Sequence, residues 1–563
     1  MENTSYFLGI FPLLTTMVFL PLVGAILLYL IPGFSGQDEH TRSRVTWFTL
    51  GVSGLTFIVS IACLNRFDPS VVTAQLVERT PWIERFGVQY YLGVDGISIL
   101  LVLLTTFLMP IIVLASHSVK TNLRGYLFHM LVLECAMLGT LLAFDAFLFY
   151  VFWEFMLFPM YFIIGIWGGK RRIYATLKFV LYTVVGSLLM LVGLFYVVWA
   201  YAAQNGGEIT FSLYELSRSV DLSLSEQIWL FAGFALAFGI KVPLFPFHTW
   251  LPDAHVEAPT GGSVVLAGVL LKMGLYGYIR YAYPLFPQGA AYFAPVLATL
   301  AVIGIVYGAL VAWAQEDIKK LVAYSSVSHL GYCVLGFVAF NALSTTGSLY
   351  QMLNHGISTG ALFLLVGVLY DRRHTREISE YGGLASKVPV FAFLFLVFTL
   401  SSIALPLTNG FIGEFLILAG SFQEFPVLTA FAVTGVVLGA VYMLTLYMKT
   451  MFGELNEEKN GSLTDVTPRE IVTFAPLFVL VFVMGIYPQP FLRLMEPTVH
   501  QYIEDVSRKM VKVGSPIEEP ADGTSYAQKS GGNAARAQLA FESFNVERVK
   551  PVANSPLNFE ENL

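Results

Sequence analysis

Charge is scarce in this chain. Lys, Arg, Asp and Glu make up only 12% of 563 residues, where soluble domains carry roughly a quarter. With 56% hydrophobic residues and a mean hydropathy of +0.68, that scarcity excludes a soluble globular enzyme and predicts a polytopic membrane protein. Cysteine is scarce as well. Cys63, Cys135 and Cys333 stand singly in apolar segments, without a C-x-x-C pair, which argues against iron–sulfur clusters, zinc and a disulfide framework. There is no P-loop, no G-x-G-x-x-G after a strand, and no haem or cluster ligand set. The chain therefore has no cofactor, redox centre or ATP hydrolysis of its own, and its energy must come from a partner or an ion gradient. The net charge of −6 is not accompanied by a basic patch interleaved with aromatics, so nothing points to nucleic acid. No cleavable leader is expected either: Met1–Tyr6 is acidic rather than basic, and the apolar run Leu8–Ile31 is long enough to span.

What the chain does have is long apolar runs. Read as helices of about 20 residues, they give an all-α, polytopic fold of about fourteen transmembrane helices. The runs lie near 8–31, 45–64, 94–116, 126–144, 147–168, 176–203, 227–248, 262–282, 291–313, 321–340, 347–370, 389–419, 427–451 and 470–493. With the N-terminus outside, the inner loops hold Arg42, Arg44, Lys120, Arg124, Lys170, Arg171, Arg172, Lys319, Lys320, Arg372, Arg373, Arg376 and Lys387. The outer loops hold few basic residues, and those sit among comparable acids. The positive-inside rule then places both termini on the outer face. Residues 494–563 are rich in Gly, Ser, Pro, Asn and mixed charge and read as a polar C-terminal extension, extended until it meets a partner.

Two runs are interrupted in matching ways. The seventh carries Lys241-Val242-Pro243, then Pro246 and Pro252; the twelfth carries Leu405-Pro406-Leu407-Thr408-Asn409-Gly410, with Glu414 one turn beyond. Proline removes a backbone hydrogen bond, and in lipid the freed carbonyls need protein or water partners. Interrupted helices five spans apart imply two inverted five-helix repeats with discontinuous helices 7 and 12. The expected organisation is helices 1–3 in 1–125, a first repeat (helices 4–8) in 126–283, a second (helices 9–13) in 284–455, helix 14 in 456–493, and the extension in 494–563.

Four of the charges inside apolar runs have no other reason to be there: Glu154, Lys241, Lys272 and Glu414. An ionisable group at membrane depth is costly and marks an ion or substrate path by default. Two polar stripes accompany them. Ser325, Ser328, His329 and Tyr332 follow i, i+3, i+4, i+7, as do Gln351, Asn354, His355 and Ser358, so each set shares one helical face. Together they could hold a file of water between Lys272 and Glu414; the plainer alternative is interhelical hydrogen bonding. Burial disfavours a charged lysine and a nearby carboxylate favours it, so Lys272 is poised to exchange a proton when a neighbouring charge moves. Glu154 is the expected counter-charge of Lys241, with a static ion pair as the alternative.

Other charges read more plainly. Arg280 shares a face with Lys272 but lies near the helix end, where it is expected to snorkel to water. Glu134 lines the bundle interior. Lys178, near the inner end of its span, reads equally as a snorkelling residue or as part of a proton route. Asp317, Lys319 and Lys320 read as loop residues. His248 and His255 flank the first break beside Asp253 and Glu257, but Pro252 and Pro259 deny them a regular metal-binding helix, and no metal is expected.

The stretch Lys241–Tyr276, KVPLFPFHTWLPDAHVEAPTGGSVVLAGVLLKMGLY, closely resembles the proton-pumping, antiporter-like membrane subunits of respiratory complex I. So do Trp153-Glu154 with FMLFPMYF, Glu316–Tyr332 (EDIKKLVAYSSVSHLGY), and Asn354-His355 with GISTGALFL. The resemblance covers about residues 90–455. It implies that Glu154 and Lys241 form a regulatory pair, Lys272 is the central proton carrier, His329 and His355 belong to the connecting water path, and Glu414 is the terminal proton site. It also implies sister antiporter-like subunits on both flanks, a bacterial inner membrane location, and flavin, iron–sulfur clusters and quinone supplied by the rest of the complex. One departure stands out: Leu407-Thr408-Asn409 replaces a more Gly-rich sequence after Pro406. Competing readings are a subunit of a multi-subunit cation/proton antiporter, a membrane-bound hydrogenase subunit, and a passive spacer. The loop His255–Gly268 favours complex I over the antiporter relatives.

Overall fold

The computed structural model describes residues 6–7, 11–36 and 38–511. Among them, twelve helices are long and apolar enough to cross a membrane, from Leu13–Leu30 to Pro468–Ile486, and each overlaps one of the fourteen apolar runs. The two runs left over, 227–248 and 389–419, are the interrupted ones. The first becomes Leu224–Lys241 followed by Trp250–Glu257; the second becomes Pro389–Ser402 followed by Asn409–Glu424.

Each break is stitched locally. The indole Nε1 of Trp250 donates to the freed carbonyl of Ile240 at 2.9 Å, one residue before Lys241. At the second break Leu407 takes a left-handed φ of 76°, the conformation a glycine would adopt freely. Asn409 opens the next helix and accepts from Ser401 Oγ at 2.6 Å. The departure from a Gly-rich sequence is thus absorbed by a left-handed leucine and a bonded asparagine.

Thr260–Leu285, which carries Lys272, is wholly enclosed by other helices. It is not a uniform α-helix: Leu266–Leu270 and Tyr278–Ala282 are π-turns, which widen the helix and loosen its regular hydrogen-bond ladder. Its approach to Ala342–Arg373 is close because two glycines face each other. A Cβ on Gly356 would lie 2.9 Å from the carbonyl oxygen of Gly268, a small-residue contact of the kind that lets membrane helices meet. By contrast, Arg172–Gln204 turns Leu181, Val185, Leu188, Val192, Phe195 and Trp199 outward. Those positions recur every three or four residues, which makes one continuous apolar face for lipid or a neighbouring subunit.

An antiparallel hairpin, Gln75–Ile83 with Val88–Val94, lies at one face of the bundle. Asp145 ties it to the helix Ala146–Phe155. One carboxylate oxygen accepts from Phe147 N at 3.0 Å and Leu148 N at 2.9 Å, and the other from Gln89 N at 3.0 Å. This N-cap, a contact usually worth about 1 kcal/mol, also keeps Leu123–Leu142 and Ala146–Phe155 as two separate helices. Beyond the last span, Gln489–Val511 forms a further helix, which runs across the expected boundary at 494. Residues 512–563 of the expected extension lie outside the described residues.

Candidate functional site

Four helices each bring one titratable side chain to a common line in the middle of the bundle. Lys272 comes from Thr260–Leu285, His355 from Ala342–Arg373, His329 from Ile318–Val338 and Glu414 from Asn409–Glu424. Their relative exposures are 1%, 3%, 6% and 4%. Lys272 Nζ donates to His355 Nδ1 at 2.7 Å and also to the carbonyl of Ala267, within the first π-turn. The rings of His355 and His329 stand 5.9 Å apart between centroids. His329 Nδ1 donates to Glu414 Oε1 at 3.0 Å, and Gln351 Nε2 donates to the same oxygen at 3.0 Å.

The surroundings hold these groups in place. Asn354 Nδ2 donates to Gln351 Oε1 at 3.0 Å, which fixes the orientation of the amide that faces Glu414. Ser402 Oγ and Tyr442 OH both lie 3.4 Å from His329 Nε2. Gly413 leaves room for this cluster, since a Cβ there would sit 2.5 Å from Gln351 Oε1. Below it, Ser358 and Ser401 share a 2.6 Å hydrogen bond. A line of donors and acceptors runs from Lys272 to Glu414, with the His355–His329 step left for a bridging group.

The two polar stripes separate in the structure. Of the first, His329 faces the line, but Ser325 donates to Val322 O, Ser328 to Ile305 O and Tyr332 to Ala432 O. Those three hydroxyls bind helix backbone. Of the second, Gln351, Asn354, His355 and Ser358 all lie in the polar cluster.

Glu154 and Lys241 do not form a closed ion pair. Among the described residues Lys241 Nζ is buried without a hydrogen-bond partner, and it sits 5.2 Å from the Trp153 ring centroid and 5.7 Å from that of Phe179. Glu154 Oε1 is likewise unpartnered, and the residue lines a lateral groove with Phe147, Tyr150, Phe158 and Phe195. Glu154 is nonetheless the charged neighbour of Lys241. The two stand in a separated arrangement, with aromatic rings around the ammonium.

Two expectations need correction. Arg280 does not snorkel: it is 7% exposed and grips Asp95 with two hydrogen bonds of 2.6 Å. Lys319 and Lys320 are not loop residues: both lie in the first turn of Ile318–Val338, and Lys319 Nζ donates to Ala258 O at 2.5 Å, buried. The sequence held a signal for the second case. Asp317 accepts from Lys319 N and Lys320 N, and an aspartate two residues upstream is an ordinary N-cap. Lys178 bonds Asp253 at 2.8 Å and Thr249 O at 2.9 Å. Glu134 is buried with both oxygens unpartnered. His255 stacks on Phe363 at 4.6 Å, with Lys319 and Lys272 as its charged neighbours. Among the described residues, no three His, Cys, Asp or Glu side chains gather closely enough to hold a metal.

The family profile described as "NADH:quinone oxidoreductase/Mrp antiporter, TM" matches residues 143–439, and "NADH-ubiquinone oxidoreductase chain 4, amino terminus" matches residues 45–144. NADH-quinone oxidoreductase subunit M of Rhodobacter capsulatus is 46% identical over 500 residues, covering 88% of this chain and 96% of that protein. NADH-ubiquinone oxidoreductase chain 4 of Marchantia polymorpha is 40% identical, covering 87% of this chain and 97% of that protein. A chain of respiratory complex I from Thermus thermophilus superposes with a TM-score of 0.78 at 35% identity, covering 88% of this chain and 99% of that one. The chain belongs to the NADH:quinone oxidoreductase/Mrp antiporter transmembrane family, on the branch of subunit M and chain 4.

Proposed function

We propose that the line from Lys272 to Glu414 is the path along which this chain, a membrane-arm subunit of complex I, moves protons across the bacterial inner membrane. The observation that carries the reading is the pair of contacts at its two ends: Lys272 Nζ to His355 Nδ1 at 2.7 Å and His329 Nδ1 to Glu414 Oε1 at 3.0 Å. A lysine against a ring nitrogen and a histidine against a carboxylate are donor–acceptor pairs between groups that can each gain and lose a proton.

In this reading Lys272 passes a proton to His355 Nδ1, and His355 releases one from Nε2, which has no hydrogen-bond partner among the described residues. One water between the rings hands it to His329 Nε2, and His329 delivers its Nδ1 proton to Glu414. Glu154 and Lys241 set the timing. A shift in their separation alters the charge felt at Lys272, and such a shift acts strongly in a poorly polarisable interior: two unit charges 4 Å apart interact by about 4 kcal/mol at an effective dielectric near 20, against about 1 kcal/mol in water. Flavin, iron–sulfur clusters and quinone belong to other subunits of the complex, so this chain contributes to the translocase without a redox centre. The inverted repeats 126–283 and 284–455, and the placement of both termini on the outer face, complete the proposal. It is supported by the matching breaks beside Lys241 and Glu414 and by the basic residues of the inner loops.

The test uses inverted membrane vesicles holding the complete complex in sodium-free medium. NADH oxidation is expected to drive proton uptake that stops when quinone reduction is blocked. Uptake that requires added sodium and continues with quinone reduction blocked would assign the chain to cation/proton antiport instead.

A further inference from the structure

The Lys272 helix continues from Lys272 towards the face that carries the β-hairpin, and nothing in the proton line uses that half. Its contents are nevertheless polar. Two turns beyond Lys272, the Arg280 guanidinium is held by both oxygens of Asp95, 2.6 Å each. It also donates Nε–H to Tyr276 OH at 3.1 Å and lies 4.8 Å from the Phe144 ring centroid. Asp95 is further committed, since its Oδ1 accepts from Ile97 N at 3.0 Å and Ser98 N at 3.1 Å. Tyr276 donates to Leu141 O at 2.8 Å and Tyr281 to Ala143 O at 2.9 Å. All four side chains are buried.

We propose that Arg280 and Asp95, with Tyr276 and Tyr281, seal the way from Lys272 to the hairpin face, so that a proton on Lys272 leaves sideways through His355. The inference rests on the proton-translocating reading of the Lys272–Glu414 line. A proton relay needs groups that can both accept and release. A guanidinium has no acceptor and stays charged, so it cannot take up a proton arriving from Lys272. Asp95 keeps that cation in place and has no idle oxygen. The two phenols are locked as donors to backbone carbonyls, and turning one to relay a proton would strand a buried polar group. The widened turn Tyr278–Ala282 places Arg280 within this plug. Direction thus comes from a closed door as well as an open path. Without it, Lys272 would join the two sides of the membrane and dissipate the gradient.

The test uses the complete complex in vesicles without electron donor, with decay of an imposed pH gradient followed by an internal pH-sensitive dye. Arg280→Gln with Asp95→Asn keeps hydrogen bonding across the contact and removes both charges. It is expected to speed the decay about tenfold, the change that about 1.4 kcal/mol of lost barrier produces, and to lower the protons moved per electron while electron transfer continues. Tyr276→Ser opens the space beside an intact ion pair and is expected to leak as well. Adding Lys272→Met is expected to close the leak in either leaky variant. Parent-like decay in both the double variant and Tyr276→Ser overturns the seal, and so does a leak that survives Lys272→Met. Failure of the underlying proton reading shows separately, as undiminished proton uptake in Lys272→Met alone.

Discussion

Replacing Lys272 with methionine is expected to leave the complex assembled and to cut both quinone reduction and the proton uptake coupled to it by at least about tenfold, a floor beside the roughly 100- to 10,000-fold that a positioned proton-transfer group typically contributes. Methionine matches the length of the lysine stem, and the site places no carboxylate against the ammonium: its partners are Ala267 O and His355 Nδ1. The substitution therefore removes a costly buried charge without stranding an opposite one. Assembly is read by the amount of complex in the membrane, and activity by NADH-driven quinone reduction with proton uptake in the same vesicles. If Lys272 were only a helix brace, both activities would survive while the amount of complex fell.

Glu414→Gln is the second large effect. Glutamine fills the same volume and its carbonyl can still accept from His329 Nδ1 and Gln351 Nε2, which now meet at Glu414 Oε1. The geometry is retained and the capacity to take up a proton is lost. Proton uptake is expected to fall about as far as in Lys272→Met, again by about tenfold or more, with the chain still folded. Because the two residues act in series, the double variant should be no worse than either single one; groups that act as one unit are strongly non-additive. Additive losses would place Lys272 and Glu414 on separate routes.

Much of this line was legible in the sequence, because a charge or a histidine inside an apolar helix has few ordinary reasons to be there. Helical spacing put His329 and His355 on polar faces, and both reached the line. For Ser325, Ser328 and Tyr332 the plainer alternative, hydrogen bonding between and within helices, describes the contacts: all three hydroxyls bond to helix backbone, and Ser325 also meets Tyr442. Spacing tells which residues share a face but not which helix lies opposite. Opposite sign and comparable depth point to Glu154 as the counter-charge of Lys241, and it is the charged neighbour, but their separation depends on how Trp153 and Phe179 pack about the ammonium.

The fate of Arg280 was hidden for a different reason. A position near a helix end reads as exposed, whereas here the helix Gln489–Val511 packs over that region: Gly96, next to Asp95, lies against Leu494 and Thr498. From position 494 that helix reads as the start of a polar tail. Asp95 itself sits in Val94-Asp95-Gly96, a turn signal at the very start of an apolar run, which masks its role as a counter-ion. Only the packing of three segments far apart in the chain makes the arginine buried and the aspartate its partner.

The central claim is that His355 joins Lys272 to the Glu414 end of the line. The measurement that tests it most directly is NADH-driven quinone reduction, followed together with the protons moved per electron, in vesicles carrying His355→Leu, with Lys272, His329 and Glu414 intact. The expected result is a fall in quinone reduction and proton uptake matching Lys272→Met, with no further loss when the two substitutions are combined. An unchanged ratio in His355→Leu, with electron transfer at the parent rate, would mean that protons do not pass from Lys272 through His355.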